Sequence, residues 1–239
     1  MRTTARVAGV STIVFALAGL TTTALSLVPI SLGFEDTDNP AISIAFIRAH
    51  PDIHVFTGLS LILMAIALTA SILSVGELTA PRAALAVRCV SALGLMAAAL
   101  FLVTGGLQIG ASGPLLHIAN LRPEWGEAAY VAFQVASQAA GSSAIVGLCL
   151  WVAGLSAIGR RSGVLPTWLC VLGIVPAFRL VVGTLGPVGL LPAIDLLWVV
   201  GMVSIPGTMA WCLSLGIVLL RRGFLSTGVR QAVPATAGA

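Results

Sequence analysis

The stretch PDIHVFTGLSLILMAIALTASIL, residues 51–73, holds no charged side chain after Asp52, and none follows until Glu77. As an α-helix, at about 1.5 Å per residue, such a run is ~35 Å long and crosses the ~30 Å hydrocarbon layer of a bilayer. Its apolar residues occupy every helical face, the pattern of a helix enclosed by lipid and other apolar helices. Pro51, placed where a first turn can spare an N–H, and Asp52, beside the positive helix end, mark its start.

The rest of the chain repeats this design. Of its 239 residues 58% are hydrophobic and 8% charged, against roughly 25% charged in a soluble domain. Too few charges remain to clothe a surface in water. Comparable apolar runs at about 7–30, 85–109, 128–158, 165–185 and 192–220 bring the total to about six spans. The expected fold is therefore all-α, a polytopic transmembrane helical bundle forming one domain over 1–239. Pro81, Pro123, Pro166 and Pro192 recur where a helix would begin, and the longest loop, 31–50, has no room for a soluble domain. Arg2 and Arg6 ahead of the first run give it the look of a secretory signal; we expect an uncleaved first span.

Orientation follows from the arginines. Nine of the twelve basic residues, Arg2, Arg6, Arg82, Arg88, Arg160, Arg161, Arg221, Arg222 and Arg230, fall on one side of this topology. Arg48 and Arg122 fall on the other, together with Glu35, Asp36, Asp38, Asp52, Glu124 and Glu127. The N-terminus and C-terminus are expected in the cytoplasm. The net charge of +4 is then a topology signal and not a nucleic-acid footprint. Expected partners are membrane lipids, with a larger membrane complex or a homo-oligomer possible, and no nucleic acid.

All twelve basic residues are arginine, which excludes lysine Schiff-base chemistry such as retinal or pyridoxal phosphate binding. Cys89, Cys149, Cys170 and Cys212 lie in or at the ends of spans with no Cys-x-x-Cys pair, so inert buried thiols are expected, and a soft-metal cluster of the last three is the remote alternative. Phosphate loops, serine-nucleophile elbows and zinc-protease helices are absent.

A few polar residues stand out against this background. Arg179 in span 5 and Asp195 one turn into span 6 sit at depth, where an unpaired arginine is costly, so the two are expected to pair. They either fix two helices or form an anion or proton site. Span 4 carries Tyr130, Gln134, Gln138 and Ser142 at four-residue intervals, one polar stripe, and Ala132, Ala136, Ala140 and Ala144 form a second stripe that admits a close neighbour. Span 4 is expected at the centre of the bundle. Thr104 and Gln108 lie at similar depth in span 3, so Arg179, Asp195, Gln134, Gln138, Gln108 and Tyr130 form the expected outward-facing pocket. Pro176 and Pro206 interrupt spans 5 and 6, as packing kinks or as the broken helices of a transport site.

His50 and His54 flank Pro51 and Asp52, and His117 is the third histidine on the same side. Histidines four apart can share a metal, and all three would make a zinc or iron site. Pro51 works against this, because it holds His50 out of the helix that bears His54. A capped first turn without cofactor is our preferred reading.

The segment Leu165-Pro166-Thr167-Trp168-Leu169, with Leu172-Gly173 after it and Arg160-Arg161 before it, resembles a bacterial family of six- to seven-helix integral membrane proteins known as a domain of unknown function. The resemblance implies the helical fold and carries no reaction or site residue. The lysine-free, Ala- and Gly-rich composition is similar to that of high-GC bacteria and implies a plasma membrane location. We therefore expect a multi-pass protein, more readily non-enzymatic than an enzyme, whose polar pocket binds or transports a small solute or lipid, or which serves as an accessory subunit. An intramembrane metal-dependent enzyme using His50, His54 and His117 is the competing class.

Overall fold

The computed structural model describes residues 2–34, 39–173, 176 and 206–221, and among these all regular structure is helical. In chain order the elements are α1 (Arg2–Ser31), α2 (Pro40–Ala49), α3 (Pro51–Gly110), a π-helical turn (Ala111–Leu115), α4 (Leu116–Leu121), α5 (Pro123–Ser162), α6 (Thr167–Leu172) and α7 (Pro206–Arg221). The sixty-residue α3 breaks at Ala83, whose backbone (φ −160°, ψ 56°) leaves the helical region. It is thus two antiparallel arms. Four runs are long and apolar enough to cross a membrane: Thr3–Ser31, Pro51–Thr79, Ala83–Leu121 and Pro123–Ser162. These are the first four expected spans. Of the fifth and sixth, the described parts are Thr167–Leu172 and Pro206–Arg221.

Two loops of the sequence reading are instead helical. Within 31–50, Asn39 accepts a hydrogen bond from the Ala41 N–H at 3.0 Å and Pro40 follows at the first helical position, so α2 starts with both of its expected signals. After residue 109 the third span continues through the π turn that accommodates Pro114 and ends only at Arg122, whose extended backbone separates it from α5. Pro123 then opens the next helix, as expected. Pro81 does not; the break falls at Ala83.

Small residues let neighbouring helices meet at their backbones. A Cβ added at Gly105 would lie 2.7 Å from the Gly58 carbonyl oxygen, and one at Gly58 would lie 2.6 Å from that of Gly105, so the two arms of α3 touch where neither has a side chain. Gly9 and Gly216 make the same reciprocal contact between α1 and α7. That pairing puts the beginning of α1 and the end of α7 at one end of the bundle.

Hydroxyls add a second kind of contact. Thr12 and Ser71 hydroxyls share a hydrogen bond of 2.6 Å between α1 and the first arm of α3, and Ser60 donates to the Ala18 carbonyl at 2.9 Å. In a bilayer such bonds contribute about 0.6 kcal/mol each, because the separated helices also find partners. The main core lies toward the end away from α2. There Trp151 and Trp211 pack edge to face with centroids 5.9 Å apart, and the Trp211 indole donates to the Leu169 carbonyl at 2.9 Å. One aromatic pair thus joins α5, α6 and α7.

Candidate functional site

Near the α2 end, the polar side chains of three spans come together. Gln108 in the second arm of α3 accepts through Oε1 from His54 in the first arm, 2.9 Å away. An amide oxygen cannot donate, so His54 Nδ1 is the donor of this bond. The Gln108 amide donates in turn to the Ser137 hydroxyl of α5 at 3.4 Å. His54 and Ser137 thus belong to the cluster, though the sequence reading placed His54 with the metal candidates and passed over Ser137. A four-residue polar spacing picked out Gln134 and Gln138, while Ser137 points between them toward α3. One turn below, Thr104 is buried and satisfies itself by donating to the Leu100 carbonyl at 2.8 Å.

Above this chain, α2 and α4 form a cap. Arg48 donates to the Asn120 side-chain carbonyl at 2.8 Å, and the Arg122 guanidinium lies 4.5 Å over the Trp125 ring. Ile47, Ala111 and Leu115 make a small core beneath, against which Tyr130 and Phe133 pack. Tyr130 is therefore a packing residue of the cap in this structure. His50 stacks on Phe46 with centroids 5.0 Å apart, and His117 is exposed. The three histidines have three different environments. Among the described residues no group of three His, Cys, Asp or Glu side chains is placed to hold a metal ion.

Toward the middle of α5 a groove of about 690 Å³ opens beside the second arm of α3. Leu93, Met96 and Leu100 form its apolar wall, and Gln138, Ser142 and Ser143 bring polar atoms from α5. Gln138 and Ser142 are exposed and Gln134 is half-buried. The polar stripe of span 4 thus divides: Tyr130 goes into the cap, while Gln138 and Ser142 face the groove. The alanine stripe divides too, from exposed Ala132 and Ala136 to buried Ala144. Among the described residues span 4 is buried most continuously in its later half, at Leu148, Trp151, Val152 and Leu155, with Gly126 and Ser137 buried in its earlier half.

Arg179 and Asp195 lie outside the described residues. Cys149, Cys170 and Cys212 are buried and Cys89 is exposed.

Neither the curated proteins nor the solved structures contain a match to the chain. A family model does match, over residues 7–223 and so across every helix described above. With its long apolar helices, the chain is a membrane-protein-like member of that family, which bears the description Domain of unknown function (DUF4386) and to which the chain belongs.

Proposed function

We propose that the chain is a non-enzymatic, multi-pass membrane module of a bacterial plasma membrane that holds a small amphiphile or lipid in the groove between the second arm of α3 and α5. The observation that carries this reading is the groove itself. Its ~690 Å³ lies within the range of small-molecule sites. It combines an apolar wall of Leu93, Met96 and Leu100 with a few polar atoms on Gln138, Ser142 and Ser143. Polar groups set among lipid-facing residues need a partner, and an amphiphile supplies one while its apolar part covers the wall. The His54–Gln108–Ser137 chain supports the site by locking the three spans one turn away. Arg179 and Asp195, if they pair, supply a charged element from spans 5 and 6.

The test is to purify the full chain under mild conditions and identify the small molecules that remain bound. A Gln138→Leu, Ser142→Val double variant should lose most of any retained amphiphile while unfolding at the wild-type temperature. Equal retention by wild type and variant would refute the groove as the site.

A second reading, an accessory subunit of a membrane complex, is favoured by the exposed row of Ala132, Ala136, Ala139 and Ser143 on the same helix. Small residues at this spacing admit a partner helix at close range. Bulky Ala136→Phe would disrupt a partner complex and leave amphiphile retention unchanged.

A further inference from the structure

At the end of the bundle away from α2, α5 and α6 leave a second cavity of about 590 Å³ between them. Ala153, Ser156, Ala157 and Arg160 line it at i, i+3, i+4 and i+7, a single face of α5, with Cys170 on the opposite wall and Arg161 at the rim. Both arginines are exposed.

These guanidiniums are not needed to finish the helix. The carbonyl of Arg160 accepts from the Gly163 N–H, that of Gly159 from the Val164 and Leu165 N–H groups, and that of Ile158 from the Ser162 hydroxyl. Gly163 takes the left-handed backbone conformation (φ 64°) that closes this arrangement. The last carbonyls of α5 are thus occupied by other donors, and the arginine side chains can serve the cavity. Ser156 is 5% exposed, and its hydroxyl has no hydrogen-bond partner. Its Oγ is closed off against Gly173 at the end of α6, so the polar groups that the cavity offers a ligand are the two guanidiniums, which suit an oxygen-rich anion.

We propose that this cavity seats an anionic phospholipid. Arg160 and Arg161 hold the phosphate, and the first part of an acyl chain lies along Ala153 and Ala157. Guanidinium groups match phosphate oxygens in pairs, and basic pockets between spans at the arginine-rich face take anionic head groups. A free phosphate would use the arginines but not the apolar walls, which favours the lipid. This site is separate from the groove beside Gln138 and holds or fails independently of it.

Native mass spectrometry of the full chain, released from nanodiscs of equal parts phosphatidylglycerol and phosphatidylcholine, tests the proposal. Wild type should retain phosphatidylglycerol in preference by about tenfold, and Arg160→Gln with Arg161→Gln should abolish most of that preference. Ala157→Trp keeps both arginines and fills the cavity. It should reduce retention similarly, which distinguishes a seated lipid from attraction to a basic surface. Inorganic phosphate at millimolar concentration should leave retention unchanged. Wild-type preference in either variant would overturn the proposal, and so would displacement by phosphate, which would assign the site to a soluble anion. Should the arginine variant fail to fold, Ala157→Trp and the milder Ala153→Leu decide the matter, each compared at its own unfolding midpoint with wild type.

Discussion

Around Trp211, α5, α6 and α7 close on one another through an indole with no exposed surface, whereas around Gln108 the helices α3 and α5 meet through side-chain hydrogen bonds and then part to leave a groove. The first region is held by area and shape, the second by a few directional bonds. At the indole itself close packing leaves no space for a guest, because side chains with few alternative rotamers fill it, and the cavity beside Ser156 opens only beyond it. A hydrogen-bonded contact can exchange partners at little cost, since one polar group replaces another. Shape and area thus dominate around Trp211, and directional bonds dominate around Gln108.

Substitutions at the two ends test that division. Trp211→Ala removes the edge contact with Trp151 and the bond to the Leu169 carbonyl, and should cost about 3–5 kcal/mol in equilibrium unfolding. Trp168 is 54% exposed, so Trp168→Ala should cost under about 0.5 kcal/mol. Equal losses would erase the contrast. Next in size, Gly105→Leu forces a side chain onto the Gly58 carbonyl and should cost about 1–3 kcal/mol. A variant as stable as wild type would mean that the arms of α3 do not meet there.

Gln108→Leu unpairs His54 and Ser137 and should cost only about 1 kcal/mol, read from the same unfolding curves. A loss matching that of Trp211→Ala would show that the polar end is as essential to stability as the aromatic one. Smaller again, Asn39→Ala removes the cap of α2 and should cost roughly 0.5 kcal/mol overall. Its effect belongs in faster amide exchange over the first turn of α2, with no change near Trp151.

Much of this architecture is legible in the residues. Long uncharged runs define the first four spans because hydrocarbon tolerates no unpaired backbone and few charges. Pro51 and Pro123 mark helix starts because a first turn needs no N–H from them. The misses have physical reasons too. Asn39-Pro40 is a complete helix-start signal, but a ten-residue helix between spans is too short to register as an apolar block. The third span outlasts its expected end because a π turn absorbs Pro114, where an α-helical turn would have lost a bond.

Gln108 and Gln138 were recognisable as polar residues at depth, yet spacing along one helix says nothing about rotation against its neighbours. Ser137, not Gln134 or Gln138, meets Gln108 for that reason. His54 and His50 are four apart in sequence, but Pro51 leaves His50 at the non-helical junction between α2 and α3, so one ring joins Gln108 and the other Phe46. The Ser156 cavity leaves no trace in the sequence, where Arg160 and Arg161 orient the chain and precede the Leu165–Leu169 segment.

The break at Ala83 uses almost no chain to reverse direction, and the glycine contact at 58 and 105 pins the far ends of the same two arms. Clamped at top and bottom, the pair has no slack with which to slide and behaves mechanically as a single plate. Whatever widens the groove beside Leu93 and Met96 must then swing α5, pivoting on the one extended residue, Arg122, that precedes it.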